Sequence, residues 1–167
     1  MNDDQSHLDA SSTSRTSAVS ASRTLIVVCT YNELASLPSL VDAIQQVVPT
    51  CDLLVIDDNS PDGTSDWMRE QTERDPKLML ECRPGKLGLG SAIKFGIERG
   101  IANGYDWIIN LDADWSHDPA AIPMLLEARL TPTGLSDMVI GSRYIQGGGM
   151  QNCTWRRHVV RDRKSVV

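Results

Sequence analysis

Between residues 24 and 141, short apolar runs alternate with segments of helical spacing. Thr24–Cys29, Asp52–Asp57 and Tyr105–Leu111 read as buried strands. Lys77–Cys82 reads as a less apolar strand nearer an edge, and Ser136–Gly141 as a fifth strand. The intervening Leu34–Val48 carries apolar residues at Leu37, Leu40, Val41, Ile44 and Val48, the period of a helix face. Asp62–Arg74 predicts a second helix with Asp62 as N-cap, and Gly90–Asn103 a third that ends at Gly104. A fourth runs to about Arg129, opened by Pro123 rather than Pro119. Strands alternating with helices require right-handed crossovers, so the expected fold is α/β, a mainly parallel sheet with helices on both faces. Such a sheet normally gains a closing strand and a final helix. No periodicity follows the fifth run, so the expectation is the front portion of a longer protein.

The first 22 residues are Ser, Thr, Asp and Ala with almost nothing apolar, and they predict a disordered tail. A formal charge of −6 argues against a general nucleic-acid binder but not against an anionic substrate, because a metal inverts the local sign. Cys29, Cys51, Cys82 and Cys153 form no C-x-x-C pair and have no histidine at zinc spacing; buried free thiols in a reducing compartment are expected. No stretch approaches the ~20 apolar residues of a membrane span, and surface attachment to a membrane stays open.

Strands of a parallel sheet share one carboxyl edge, where ligands bind. Thr30-Tyr31-Asn32-Glu33, Asp57-Asp58-Asn59-Ser60, Asp112-Ala113-Asp114 and Gly141-Ser142-Arg143-Tyr144 all follow strand-like runs, so polar groups converge on one crevice. Asp112 and Asp114 are two apart at a strand end, and side chains alternate along extended backbone. Two converging carboxylates repel unless a cation lies between them. Mg²⁺ or Mn²⁺, completed by substrate phosphates, suits such oxygen ligands. Tyr31, Glu33 and Asp58 fit a base or ribose. Tyr31 fits packing equally, Asn32-Glu33 a helix cap, and Asp58 a turn with Pro61-Asp62-Gly63. Arg143 suits a phosphate or a surface acid. Lys86-Leu87-Gly88-Leu89-Gly90 lacks the third glycine and the strand context of a dinucleotide fingerprint, and fits a glycine-opened helix N-terminus near a diphosphate.

Val28-Cys-Thr-Tyr-Asn-Glu33, Val55-Ile-Asp-Asp-Asn-Ser-Pro-Asp-Gly-Thr64, Lys86-Leu-Gly-Leu-Gly90, Asp112-Ala-Asp-Trp-Ser-His-Asp-Pro119 and Ile140-Gly-Ser-Arg-Tyr144, in this order, resemble the dolichol-phosphate (polyprenol-phosphate) mannosyltransferases. These are inverting glycosyltransferases with the Rossmann-like A-type fold. The resemblance covers roughly residues 24–160 and implies a catalytic domain over 23–160. It implies transfer of mannose from GDP-mannose to a polyprenyl or dolichyl phosphate at a membrane surface, by a cytoplasmic, peripherally attached enzyme. A related donor sugar, or nucleotide-sugar binding without transfer, is the alternative. Residue by residue, it places Tyr31, Glu33, Ile56 and Asp58 on the guanosine, with Cys29 where the family usually has proline. Asp112 and Asp114 would hold Mg²⁺ or Mn²⁺ with Ala113 alongside, Arg143 would sit on the phosphate side, where the glycine-opened helix already puts Lys86, and Arg157 would meet the acceptor phosphate. Past Val160 the sequence departs from the family pattern, with Arg161-Asp162-Arg163-Lys164 as the start of a basic tail over 161–167.

Overall fold

The computed structural model describes residues 22–131 and 134–142. By its internal contacts the chain divides after Pro123 into two compact units. The first is built on four parallel strands: β1 (Thr24–Thr30), β2 (Asp52–Asp57), β3 (Leu78–Cys82) and β4 (Trp107–Asp112). Their order is β3-β2-β1-β4. The less apolar third run is indeed an edge strand. Three helices link the strands: α1 (Leu37–Val47), α2 (Thr64–Arg74) and α3 (Leu89–Ala102). The chain winds outward from β1 to β3, then returns to the other side of β1. That reversal opens a crevice at the carboxyl ends of β1 and β4, the usual ligand position in open α/β sheets.

Register fixes which side chains share a face. Val27 lies beside Leu54 and Asn110, and Cys29 beside Ile56 and Asp112. Leu25, Val27, Leu54 and Ile56 form one buried layer with Ala92 of α3. Alternation sends Ile26, Val28, Leu53 and Val55 to the other face. There the crossovers bring the buried Leu37, Leu40, Val41 and Ile44 of α1 and Met68 of α2. Helix α3 approaches its face closely because Ala92, Gly96 and Gly100 recur every fourth residue along one buried ridge. A Cβ on Gly96 would lie 2.6 Å from Val27 Cγ1, and one on Gly100 2.5 Å from Ile108 Cδ1.

Local details refine the sequence reading. Asp62 does not cap α2; Gly63 does, in the left-handed region at φ 91°. Asp62 instead accepts hydrogen bonds from the Thr64 and Leu34 backbone and the Thr64 hydroxyl, tying the loop after β2 to the loop after β1. Gly104 takes φ 70° past the end of α3, as expected of a C-terminal glycine. Pro119 opens a 3-10 turn (Pro119–Ala121) capped by Asp118, and α4 (Ile122–Ala128) follows with Pro123 in its first turn. Cys29, Cys51 and Cys82 form no disulfide among the described residues. Cys82 is exposed, contrary to expectation, because it ends the edge strand.

In the second unit, β5 (Leu130–Thr131) pairs antiparallel with β6 (Gly134–Leu135). The expected strand over Ser136–Gly141 is not formed. Its apolar residues Met138 and Ile140 are 74% and 77% exposed. An alternating run becomes a strand only when a neighbour accepts its backbone hydrogen bonds, and none of the described strands pairs with it. The polar segment up to residue 21, Arg143, Arg157 and the basic end over 161–167 lie outside the described residues. No helix among the described residues is long and apolar enough to cross a membrane.

Candidate functional site at the carboxyl edge

The carboxyl edge holds all three non-glycine residues with positive φ among those described: Asn32 at 62°, Asn59 at 60° and Trp115 at 60°. Each lies just past the end of β1, β2 or β4. Asparagine tolerates this region, whereas tryptophan is strained there, and such strain gathers at working sites.

Asp57 organises the edge from beneath. It is fully buried and accepts from Thr30 Oγ1 (2.8 Å), Ser60 Oγ (2.5 Å), Ser60 N (2.8 Å) and Ser65 Oγ (2.6 Å). Ser60 Oγ in turn accepts the Asn32 N–H, so one carboxylate fixes the loops after both β1 and β2. Burial alone would raise its pKa, but the bonds from Ser60, Ser65 and Thr30 together outweigh it, and the net shift is downward. A depressed folded pKa means the contribution is complete above the unfolded value of about 4 and is lost as pH falls below it. Asp57→Asn is therefore expected to destabilise the protein by about 2–3 kcal/mol near neutral pH, with a smaller gap from wild type at pH 3. Urea unfolding at both pH values measures this; equal stability at neutral pH would dismiss the network as a stabiliser.

Asp58 points to the α3 side and is also buried. Its Oδ1 is paired with the Arg83 guanidinium, and its Oδ2 accepts the N–H groups of Leu87 (3.0 Å) and Gly88 (3.2 Å). The segment 84–90 is thus strapped to the end of β2. It carries Lys86, whose Nζ sits 3.9 Å from the centroid of the Tyr31 ring. Cys29 lies on β1 between Ile56 of β2 and Asp112 of β4. Burial pushes its thiol up to about 11; Arg83 opposes the rise, and Asp58 and Asp112 add to it. The thiol is accordingly protonated near neutral pH and offers no thiolate.

Asp112 is the last residue of β4, half-buried, while Ala113 and Asp114 already belong to the following turn. Alternation therefore places Asp112, on the face of Cys29, but does not govern Asp114. The turn is closed by His117, whose Nδ1 accepts the Asp112 N–H at 3.1 Å. That bond requires Nδ1 to be unprotonated, so its 3.8 Å approach to Asp112 Oδ2 is not an ion pair in this tautomer. Asp114 is exposed, and hydrogen bonds from Ser116 hold its carboxyl below the ordinary range. Asp114 is therefore ionised near neutral pH. Among the described residues no three His, Cys, Asp or Glu side chains are grouped to hold a metal. Two hard oxygen donors beside a protonated thiol and a histidine already engaged suit Mg²⁺ or Mn²⁺ completed by ligand oxygens, not a closed zinc site.

The fold thus gathers Cys29, Tyr31, Asp58, Lys86 and Asp112, with Asp114 on the adjoining turn. Glu33 lies on the same loop, but its Oε2 accepts from Ser36 Oγ at 2.8 Å and its carbonyl receives the first N–H groups of α1. The side chains of Ile56 and Ala113 are buried, 0% and 4% exposed, so only their backbone can face a ligand. The sequence reading passed over Arg83. The end of β3 was the one strand end not counted toward the crevice, although an arginine follows it directly. Asp57 was counted only among the polar groups at the strand ends, not as the buried anchor of two loops.

A parallel sheet whose order reverses beside an acidic strand end is an α/β architecture suited to a metal-bound diphosphate, and the chain belongs to glycosyl transferase family 2, whose model matches residues 25–165. Among curated relatives, it is 43% identical over 138 residues to the undecaprenyl-phosphate mannosyltransferase of Micrococcus luteus, covering 83% of this chain and 55% of that one. It is 40% identical over 139 residues to the polyprenol monophosphomannose synthase of Mycolicibacterium smegmatis, covering 83% of this chain and 51% of that one. The chain spans about half the length of these relatives. Among solved structures, the mannosyltransferase PcManGT from Pyrobaculum calidifontis in complex with GDP-Man and Mn²⁺ is 26% identical, with a TM-score of 0.41 over 46% of this chain and 24% of that one.

Proposed function

We propose that the protein transfers mannose from GDP-mannose to a polyprenyl phosphate with inversion, assisted by Mg²⁺ or Mn²⁺. The observation that carries this reading is the placing of Asp112 in register beside Cys29 where β4 returns next to β1, in a chain 40% or more identical to relatives named for polyprenyl-phosphate mannose synthesis. Tyr31 takes the nucleoside with Glu33 on the same loop, Asp58 serves it through the wall it orders with Arg83, Leu87 and Gly88, and Lys86 lies on the phosphate side. Asp112 and Asp114 would hold Mg²⁺ or Mn²⁺ beside the donor diphosphate. When bound, such an ion supplies Lewis-acid stabilisation of the leaving diphosphate worth several kcal/mol. The acceptor phosphate oxygen is already ionised near neutral pH, so no strong base is needed. It attacks the anomeric carbon from the face opposite the departing GDP, which inverts that centre. Arg143 and Arg157 reduce repulsion between the two anions, and positioning supplies the rest. Because the acceptor is a lipid, the protein works at a membrane surface as a peripheral, cytoplasmic enzyme.

A second reading, nucleotide-sugar binding without transfer, is favoured by one observation: the nucleotide-side residues and the acid pair lie within the first unit, while both acceptor-side arginines fall elsewhere in the chain. One experiment separates the two. The full chain is titrated with GDP and Mn²⁺ by calorimetry, then incubated with liposomes bearing undecaprenyl phosphate and radiolabelled GDP-mannose, UDP-glucose or UDP-GlcNAc. Sedimentation with the liposomes and label in lipid from GDP-mannose alone are expected. Binding without transfer establishes the second reading, and preference for a uridine donor overturns the choice of sugar nucleotide.

A further inference from the structure

We propose that Arg83 is a positioning residue that locks the segment 84–90 over Tyr31 and thereby sets nucleotide affinity, a role that rests on the nucleotide-binding reading above. Arg83 follows the edge strand β3, and its own N–H donates to the Asp57 carbonyl at 2.8 Å, which anchors its backbone to β2. Its side chain is 8% exposed and that of its partner Asp58 7%. The guanidinium is fully engaged. Nε and one terminal nitrogen meet Asp58 Oδ1; that same nitrogen donates to the Gly88 carbonyl at 3.1 Å, and the other to Ser91 Oγ at 2.7 Å. Asp58 Oδ2 meanwhile holds the N–H groups of Leu87 and Gly88. One buried ion pair therefore grips the segment through its amides and a carbonyl, and grips the first turn of α3 through Ser91.

Gly88 makes this grip possible. Its φ is 94°, while a Cβ there would meet nothing within 4 Å, so glycine is required for backbone conformation rather than for space. Held this way, the segment presents Lys86 to the Tyr31 ring from the opposite wall of the crevice. An exposed cation over a half-buried ring is too weak a contact to order a seven-residue segment by itself. The buried fork supplies that order before any ligand arrives. An ordered wall lowers the entropy lost on binding and so raises affinity, without touching the reacting atoms. Lysine at position 83 would keep the charge but lose the planar fork that reaches three partners at once.

The test uses the full chain. Arg83→Lys is expected to weaken GDP binding about tenfold and raise KM for the sugar nucleotide similarly, with kcat at saturating donor within about twofold. Hydrogen exchange at Leu87 and Gly88 should accelerate in the same variant. Lys86→Ala should weaken GDP binding in the wild-type background and do nothing further in Arg83→Lys, because its partner wall is already loose. Additive losses, or a fall in kcat with KM unchanged, would overturn the proposal, as would unchanged exchange at the two amides. If Arg83→Lys does not fold, Ser91→Ala and Gly88→Ala, which loosen the same clip from its other side, are held to the same criteria. Wild-type protein that binds no GDP, yet shows the exchange difference, overturns the nucleotide reading and leaves the clip standing as a structural device.

Discussion

Asp114→Ala is expected to lower mannosyl transfer at least ~100-fold, the usual consequence of losing one electrostatic stabiliser at a reacting centre. Asp114 is exposed and its hydrogen bond comes from Ser116 two residues on, so the substitution should leave the melting temperature within a few degrees of wild type. The loss should therefore appear in catalysis and in Mn²⁺-dependent GDP affinity, not in folding. Asp112→Ala should behave alike in catalysis, since its N–H, which closes the turn onto His117, is retained. Lys86→Ala should cost less, because it contributes a point charge and a ring contact rather than a metal ligand. The measurement is single-turnover transfer at saturating Mn²⁺ together with GDP titration with and without the ion. Near-normal turnover in Asp114→Ala would remove the acid pair from the metal site.

Gly96→Ala is expected to destabilise the fold by roughly 2–3 kcal/mol although alanine is the better helix former. The added Cβ would lie 2.6 Å from Val27 Cγ1 and 3.0 Å from Ile56 Cδ1. Both neighbours are buried in the central strands, and valine is stiff at χ1, so neither can yield without disturbing the sheet. The clash would push α3 off the strands whose ends carry Cys29 and Asp58. Gly90→Ala in the same helix meets nothing within 4 Å and should stay within ~0.5 kcal/mol of wild type. Chemical denaturation of the two variants side by side separates packing from helix propensity. Equal stability of the two would mean that the close approach of α3 is not what holds this layer.

Much of the site was legible because its signals are local. The apolar runs of β1, β2 and β4 have the length and period of buried strands, and the polar residues that follow them must emerge at one edge of a parallel sheet. The structure ends β4 at Asp112 and puts Asp114 in the turn beyond, where a period of two no longer applies. The run over Ser136–Gly141 misled for a related reason. Alternation describes what a strand would look like, but a strand exists only with a partner, and Met138 and Ile140 remain in solvent.

By itself, then, the sequence determined the α/β alternation, the three most apolar strands, their intervening helices and the collection of acids at strand ends, all consequences of spacing within a dozen residues. Only the tertiary structure decided that β4 returns beside β1, that Arg83 reaches back 25 residues to Asp58, and that Lys86 closes on Tyr31. These pairings join segments far apart in the chain, and their partners are chosen by burial, charge and the handedness of crossovers, none of which leaves a local periodic trace.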